Sequence, residues 1–337
     1  MKIQQAIEIL IDGGDLTQVD ARRLMGQILS GKNSEAEIDA YLTALNIKGE
    51  TISEIAGSAM AVRNSSVTLK ADGVVVDTCG TGSNGLGTFN ISTTSAFVVA
   101  GGGVKVAKHG NHNVSDKTGS ADLLAALGVN INASVEIVEK CIAKAGIGFL
   151  FAPLYNESMN AIIEQRKNLS NNTLLKLLGP LINPVNTPYQ IVGVYDGIYT
   201  ESMASALGRL GAKHAMVVHG MDGLDEITTT APTRVAELKE NRQVTAYIIE
   251  PEQFGIKRVK TKAILGGDVA ANVGFTRAVL AGDKGPHRDI VALNAGAAFC
   301  VSGVTDSIKS GLEMAYNVLD SGKAMEKLEL LVKTSNS

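Results

Sequence analysis

The stretch VVVDTCGTGSNGLGTFNISTTSAF, residues 74–97, joins an apolar run to a glycine-rich loop and then to a segment rich in serine and threonine. The apolar run at 74–76 predicts a buried strand. Residues 80–85, GTGSNG, spell G-x-G-x-x-G directly after it, and by its letters this is the dinucleotide-binding fingerprint. The first good helix cap beyond the loop is Ser92 or Thr93. The stretch therefore predicts a strand, a glycine turn and a helix in that order.

A dinucleotide site makes two further demands, and this loop meets neither. The helix should open around the third glycine, Gly85, and an acidic residue should follow about 20 residues later to bind the ribose hydroxyls. Here the predicted helix starts well after Gly85, and no Asp or Glu occurs between Asp77 and Asp116. The sequence thus disfavours NAD, while a tight turn without a ligand stays open as an alternative.

A phosphate site explains the loop better. Successive backbone N–H groups of a glycine-rich turn form a concave anion site, and hydroxyls at a helix N-terminus add donors where the helix dipole also favours an anion. Ser92 and Thr93 supply those hydroxyls, and Lys108 adds a full positive charge from the next predicted strand. The segment KHGNHNVSDKTGSADLL, residues 108–124, brings further donors. These features predict a polyanionic ligand.

An acidic segment, VHGMDGLDE at 218–226, follows another predicted strand and carries Asp222, Asp225 and Glu226. In an arbitrary protein such acids form a solvated turn. Beside a polyphosphate loop they suit Mg²⁺, which binds through one or two carboxylates, several waters and substrate phosphate oxygens.

Composition limits the remaining choices. The 337 residues are 45% hydrophobic, which is ample for a packed core, and 31 basic against 34 acidic residues give a net charge of −3. Such a balance gives no global attraction to nucleic acid or to an anionic membrane. Three widely spaced cysteines, Cys79, Cys141 and Cys300, suit a reducing cytoplasm better than a disulfide framework. No apolar run approaches the ~20 residues of a membrane span.

The chain divides into two regions with different secondary-structure patterns. Residues 1–64 predict four short helices, with capping-box-like starts at Thr17, Ser34 and Thr51. From residue 72 onward, short β-rich runs alternate with helical stretches, which predicts a largely parallel sheet. The predicted strands are Val74–Val76, Val104–Ala107, Ile147–Phe151, Gln190–Tyr195, Ala215–Val218 and Val244–Ile249. We therefore predict an α/β fold with a small all-helical domain: residues 1–70, joined by 166–188, form the helical domain, and 71–165 with 189–337 form the α/β domain.

Four ordered motifs resemble the anthranilate phosphoribosyltransferase family over nearly the whole chain. The family blocks GTGGD-x-x-x-TFNIST, KHGNR-x-x-S-x-x-x-GSAD-x-L, LLGPL-NP and VHG-DGLDE are similar to residues 80–93, 108–124, 177–184 and 218–226. The resemblance implies a nucleoside phosphorylase/phosphoribosyltransferase-like architecture of two domains with a central sheet, an active site in the cleft and a homodimer. It also implies the reaction, in which the amine of anthranilate displaces pyrophosphate from phosphoribosyl pyrophosphate with Mg²⁺ on the diphosphate.

The same resemblance assigns residues to ligands and leaves none as an acid–base catalyst, because positioning and electrostatics would carry the reaction. The residues implied for phosphoribosyl pyrophosphate are Gly80, Ser83, Asn84, Thr88, Asn90, Ser92, Thr93, Lys108 and Ser120. Those implied for anthranilate are Gly80, His109, Asn111 and Arg166, and those implied for the metal are Ser92, Asp225 and Glu226. Arg166 fits its role because a guanidinium can pair bidentately with a carboxylate, although an arginine in such a helix more often lies on the surface.

The chain departs from the family pattern at several positions. Ser83 and Asn84 replace a glycine and an aspartate, His112 replaces an arginine, Asp116 a serine and Asn156 a histidine, and residues 172–176 read NTLLK where the family has RT-x-FN. Two interpretations follow: a divergent anthranilate enzyme, or a related phosphoribosyltransferase with a different aromatic acceptor. A phosphorylase relative and a non-catalytic, nucleic-acid-binding relative are further alternatives. The retained acid pair argues against both, and the net charge of −3 also argues against the second.

Overall fold

A computed structural model of the chain describes residues 1–82, 86–112, 118–166 and 173–337, and the side chains of Arg166 and Thr173 lie outside this description. The α-helices are α1 (Ile3–Ile11), α2 (Gln18–Leu29), α3 (Glu35–Lys48), α4 (Ile52–Ser65), α5 (Ile91–Gly101), α6 (Ser120–Ala126), α7 (Val135–Lys144), α8 (Ala152–Tyr155), α9 (Glu157–Arg166), α10 (Thr173–Leu178), α11 (Thr200–Arg209), α12 (Val269–Leu280), α13 (Pro286–Val301), α14 (Ile308–Asp320) and α15 (Lys323–Ser335). The strands are β1 (Val75–Gly80), β2 (Lys105–Gly110), β3 (Ile147–Phe151), β4 (Tyr189–Gly193), β5 (His214–Gly220), β6 (Thr233–Leu238) and β7 (Val244–Ile249).

Helices α2–α4 begin where the capping pattern predicts. The side chains of Thr17, Ser34 and Thr51 each accept a hydrogen bond from a backbone N–H three residues later, which satisfies an N–H group that the helix itself leaves unpaired. Helices α2 and α4 pack closely because Gly57 has no side chain: a Cβ there would overlap the carbonyl oxygen of Gln18. The four predicted helices are confirmed.

The sheet has the order β3-β2-β1-β4-β5-β6-β7. Its pairs are parallel from β3 to β5, and β6 and β7 are antiparallel additions at one edge. The largely parallel sheet is confirmed; four of the predicted strands have shifted bounds, and β3 and β7 have the bounds predicted. Strand β6, TRVAEL, was missing from the sequence prediction because Arg and Glu interrupt its apolar residues.

Each strand sends alternate side chains to opposite faces of the sheet, and helices cover both faces. Ile191, Met216 and Val218 join a core with α5 and α13, whereas Val192 and Val217 join a second core with the helical segment and α11. Near-continuous apolar strands are the usual consequence of covering both faces. Among the described residues, no helix combines the length and apolar character needed to cross a membrane.

Two helices that follow β3 extend the helical segment. Met159 and Ile162 of α9, and four leucines of α10, lie in the same buried core as α1–α4. The chain then turns at Gly179 and Pro180 and enters β4. These contacts support the predicted return of residues 166–188 to the helical domain, and the division into two domains at the stated boundaries stays a prediction.

The direction of the connections places a crevice at the centre of the sheet. From β1 the chain passes through α5 to β2 on one side, and β4 lies on the other side of β1. In open α/β sheets a ligand crevice forms at such a point, beyond the carboxyl ends of the strands. The glycine loop after β1 opens into it.

Candidate active site

A cavity of about 250 Å³ lies at the carboxyl ends of β1, β2 and β5. Its walls come from the three sequence segments that were predicted to bind a phosphorylated ligand and a metal ion. Its lining includes Gly80, Thr88, Asn90, Ser92, Thr93, Lys108, His109, Asn111, Ser120, Asp225 and Glu226. Residues 83–85 lie outside the described chain, so the structure gives no position for Ser83 and Asn84.

Helix α5 starts two or three residues earlier than the predicted caps at Ser92 or Thr93 imply. The residue preceding it is Asn90, whose side chain makes no capping hydrogen bond, so the prediction of a cap at Ser92 or Thr93 is wrong. Ser92 and Thr93 instead lie within the first turn, where backbone N–H groups lack helical partners. This placement keeps the N-terminus of α5 available to an anion.

Lys108 is a buried cation at the centre of the cavity. Only 3% of its surface is exposed, and Nζ donates to the carbonyl oxygen of Thr78 at 2.5 Å and to Oγ of Ser92 at 3.4 Å. Thr78 Oγ1 also donates to the carbonyl oxygen of Ser92 at 3.1 Å, which fixes β1 to the start of α5. The ammonium group is thus held beside the hydroxyl implied to bind metal and ligand.

The two acids contact the loop after β1 and the start of α5. Asp225 Oδ2 accepts from the N–H of Gly82 at 2.8 Å, and Glu226 Oε1 accepts from the N–H of Ser92 at 3.1 Å. Burial and the neighbouring charge of Asp225 raise the pKa of Glu226, while Lys108 and Ser92 act in the opposite direction. Two carboxylates this close together favour a bound cation.

Two glycines make room for the acids. A Cβ on Gly80 would lie 2.5 Å from Asp225 Oδ2, and one on Gly193 would overlap the Asp225 carbonyl oxygen. The resemblance assigned Gly80 to both substrates. The structure gives a further reason for a glycine at this position, because it lets the Asp225 carboxylate lie against the end of β1.

Two side chains fix the acidic turn: the buried Asn294, which sequence reasoning missed, and Asp222, which the sequence grouped with the acids suited to Mg²⁺. Asn294 of α13 accepts from the N–H of Ile227 at 3.0 Å and donates to its carbonyl oxygen at 2.8 Å, holding the residue after Glu226 by both backbone groups. Asp222 accepts from the N–H of Leu224 and the hydroxyl of Thr228. Asp222 thus shapes the turn, and no sequence signal links Asn294 to it.

The wall formed by 108–112 and 118–120 is held by contacts to the backbone of Asn111. The carbonyl oxygen of Asn111 accepts from the N–H of Ala121 at 3.1 Å and from Ser120 Oγ at 3.3 Å. Gly110 permits this closure, because a Cβ there would overlap Ser120 Oγ. The side-chain oxygen of Asn111 accepts from the N–H of His112 at 2.7 Å.

His109 lies 6% exposed between the cavity and the turn at Gly179. Burial lowers the pKa of its imidazole, whereas the nearby Asp77 carboxylate acts in the opposite direction. Asp77 accepts from the His109 N–H at 3.3 Å, and Asn183 donates to Asp77 at 2.8 Å. Burial thus favours the neutral form of the imidazole, which lies beside the backbone of Gly179.

The donor set fits Mg²⁺. Two carboxylates and the Ser92 hydroxyl converge on one wall of the cavity, and this ion takes oxygen ligands while keeping several waters. Within the described ranges no group of three or more His, Cys, Asp and Glu side chains is arranged to hold a metal. The residues present thus suit an ion that shares its coordination with waters and a phosphorylated ligand.

Comparison with known proteins agrees with this geometry. The helical bundle domain of the glycosyl transferase family matches residues 4–66, and the a/b domain of that family matches residues 72–325. The chain is 46% identical to the anthranilate phosphoribosyltransferase of Acetivibrio thermocellus over 99% of its own length and 97% of that protein. The chain belongs to the anthranilate phosphoribosyltransferase family.

Solved structures of anthranilate phosphoribosyltransferases share the fold. The crystal structure of the Thermus thermophilus enzyme has a TM-score of 0.93 at 40% identity and covers 98% of this chain and 99% of its own. The Saccharomyces cerevisiae enzyme in complex with phosphoribosyl pyrophosphate and Mg has a TM-score of 0.90 at 27% identity, covering 99% of this chain and 98% of its own. The predicted fold class, with a small helical domain and a mostly parallel sheet, is confirmed.

The structure describes only some of the remaining family positions. Asp116 and Asn172 are not described, and only the backbone of Arg166 is, at the end of α9. His112 lines the cavity and pairs with Asp122 at 2.6 Å. Asn156 is buried and accepts from the Ser66 hydroxyl at the end of α4, and it does not line the cavity.

Proposed function

We propose that the chain transfers the phosphoribosyl group of phosphoribosyl pyrophosphate to the amine of anthranilate and releases pyrophosphate. Membership of the anthranilate phosphoribosyltransferase family supports this assignment. The observation that carries it is the convergence of Lys108, the N-terminus of α5 and the pair Asp225–Glu226 on one cavity. A single cavity with a cation, a helix N-terminus and two acids suits a diphosphate together with its metal.

The diphosphate is the leaving group, so negative charge develops on it as the bond to the ribose carbon breaks. Lys108 and the first N–H groups of α5 are fixed in place before the ligand arrives. Donors that are already oriented stabilise developing charge without reorganising, and the buried surroundings strengthen the interaction. These residues would therefore lower the barrier by electrostatics.

Ser92, Asp225 and Glu226 are the residues that would hold Mg²⁺. Bound Mg²⁺ supplies positive charge that neutralises the diphosphate. The chain's own contribution is to orient these oxygens: Gly82 and Ser92 donate backbone N–H groups to the two carboxylates, and Asn294 fixes the backbone that follows them.

The acceptor would enter between the 108–112 wall and the segment 177–184. His109, Asn111 and Gly80 all line the cavity. We propose that Arg166 pairs with the carboxylate of anthranilate, as the family motif implies. The nucleophile is an aromatic amine that carries its own lone pair, so binding it in line with the ribose carbon is the main task of this wall.

We further propose a cytoplasmic homodimer. The three cysteines are unpaired in the structure, which suits a reducing compartment. Ile11, Val19 and Ile47 on α1, α2 and α3 are 71%, 67% and 81% exposed, and exposed apolar side chains on one segment favour association. Light scattering of the wild type and of Ile47→Glu tests the dimer, because a monomeric wild type would contradict it.

The test of the activity is direct. The protein is incubated with phosphoribosyl pyrophosphate, Mg²⁺ and anthranilate while anthranilate fluorescence and released pyrophosphate are followed together. We expect both signals to change in equal amounts, and chelation of Mg²⁺ to stop both. If pyrophosphate appears only with another aromatic amine, the chain is a relative with a different acceptor. If no acceptor supports release, the transferase assignment fails.

A further inference from the structure

Three separate segments meet at the side chain of Asn90. Its Nδ2 donates to the carbonyl oxygen of Thr118 at 3.0 Å, which joins the loop after β1 to the loop after β2. Its Oδ1 accepts from Nδ2 of Asn272 in the first turn of α12 at 3.1 Å. Asn90 thus connects both loops of the cavity to a helix that does not line it.

Asn272 has a fixed orientation because its two amide atoms have different partners. Its Oδ1 accepts from the N–H of Gly267 at 2.8 Å, so Nδ2 faces Asn90. That contact requires Asn90 to present its oxygen and to direct its own NH₂ group toward Thr118. Only 2% of Asn272 is exposed, so water does not compensate for a lost partner.

The backbone of residues 265–267, just before α12, packs against residues 87–89. Gly266 donates its N–H to the carbonyl oxygen of Gly87 at 2.8 Å, and Leu265 forms a bridge with Thr88. A Cβ on Gly266 would lie 2.7 Å from the backbone nitrogen of Phe89 and 2.8 Å from Asn272 Oδ1. Residues 265–272 therefore form a rigid support behind Thr88 and Asn90.

We propose that Asn272 is a positioning residue for the diphosphate ligand: through Asn90 it sets the spacing between residues 86–90 and residues 118–120. Asn90 and Thr118 both lie outside the helices and strands. The amide chain Asn272–Asn90–Thr118 joins them. The inference rests on the proposed binding of phosphoribosyl pyrophosphate by these loops.

The experiment measures binding of phosphoribosyl pyrophosphate with Mg²⁺ by titration calorimetry in the full-length protein. Asn272→Leu keeps the side chain's approximate volume and removes both hydrogen bonds. We expect an affinity about tenfold weaker, the size expected when a buried hydrogen bond of ~1.4 kcal/mol is lost. In steady state KM for phosphoribosyl pyrophosphate should rise while KM for anthranilate stays within about twofold.

The matched control is Thr276→Val, one turn further along α12. Thr276 is fully buried and hydrogen-bonds Thr94 of α5 at 3.2 Å, so it shares the interface between α12 and α5 and reaches Asn90 only through Thr94, which donates to the Asn90 carbonyl oxygen at 2.9 Å. It should lower the melting temperature and leave affinity unchanged. Equal losses of affinity in Thr276→Val and Asn272→Leu would show a merely structural role. If Asn272→Leu does not fold, Asn272→Ser replaces it.

A double-mutant cycle tests whether the effect of Asn272→Leu on affinity passes through Asn90. In an Asn90→Ala background, Asn272→Leu should cost little further affinity, because its partner is already gone. Additive losses would overturn the proposed route through Asn90. A wild type that gives no heat with phosphoribosyl pyrophosphate would contradict the proposed function itself, whereas normal wild-type binding with an unaffected Asn272→Leu variant would contradict this inference alone.

Discussion

The burial of the Lys108 ammonium group is explained by an anionic ligand. Taking an ammonium group out of water is costly, and its described hydrogen bonds are to a carbonyl oxygen and a hydroxyl. Glu226 lies close enough for the lysine to influence its pKa. Binding of a polyanion beside Lys108 offsets this desolvation cost.

We therefore predict that Lys108→Met weakens binding of phosphoribosyl pyrophosphate by roughly 30-fold or more, since removing one partner of a buried charge pair costs about 2–5 kcal/mol. The free energy of unfolding without ligand should change little, because the variant also removes a buried charge. Calorimetry and urea denaturation measure the two effects.

Lys105→Met in the same strand is the control. Lys105 has an exposed hydrogen bond to the carbonyl oxygen of Asp72, away from the cavity, and its loss should leave affinity unchanged. Equal affinity losses in both variants would show that Lys108 contributes only long-range attraction between a positive charge and the ligand.

The sequence allows the residues that line the cavity to be predicted, but not the buried residues that hold them in place. Lys108, Asp225 and Glu226 stand at the ends of strands within recognisable motifs, and parallel strands bring those ends together. Asn272 and Asn294 stand in ordinary helical stretches. Their partners lie 182 and 67 positions away along the chain, so their importance follows only from the packing of α12 and α13.

At the level of elements, the ends of β1 and β4 define the shape of the acidic turn. Gly80 and Gly193 pair across the two strands, and the backbone of Asp225 lies directly over them. The strands, the glycines and the acids thus form one unit, in which a methyl group under the turn would displace the metal-binding oxygens.

We predict that Gly193→Ala lowers turnover about 100-fold or more, because displacement of catalytic groups by about 1 Å can have that effect. Gly80→Ala should act in the same direction with a smaller effect, since its Cβ would meet the movable end of the Asp225 side chain at 2.5 Å. Steady-state rates over a range of Mg²⁺ concentrations measure both, with circular dichroism to verify folding.

Gly274→Ala separates this effect from general sensitivity to added methyl groups. Gly274 lies in α12 with nothing within 4 Å of a built Cβ, so alanine should stabilise the helix by roughly 0.5–1 kcal/mol. A folded Gly193→Ala variant with the wild-type rate would contradict the role given to this glycine.

The accuracy of the sequence prediction also varied by element, for a physical reason. Strand β7 could be located because VTAYII is a continuous β-rich run, and β3 likewise because IGFLF is fully buried. Strand β6 carries Thr, Arg and Glu at three of six positions. Pairing with β5 and β7 stabilises it, and the local sequence does not show those tertiary contacts.

At the scale of the whole molecule, one side chain joins three parts of the fold. Arg63 in the last turn of α4 donates Nε to the carbonyl oxygen of Leu181 at 2.6 Å and Nη1 to that of Leu210 at 3.1 Å. Leu181 follows the turn at Gly179, and Leu210 ends α11. Burial lowers the pKa of Arg63 to about 10, so the group stays charged at neutral pH.

We predict that Arg63→Met lowers the free energy of unfolding by roughly 1–3 kcal/mol, because two carbonyl oxygens lose a charged donor in a partly buried place. The effect should also reach the acceptor wall, since the segment that Arg63 holds carries Gly179 against His109. KM for anthranilate should rise several-fold, whereas the affinity for phosphoribosyl pyrophosphate should stay within about twofold. Arg23→Met, on the exposed face of α2, is the control and should change neither quantity. Stability loss with both substrates equally affected would mean that Arg63 only holds the fold together. Stability loss with a selective change in anthranilate KM would show that the joint between the helical segment and the sheet also sets the geometry of the acceptor site.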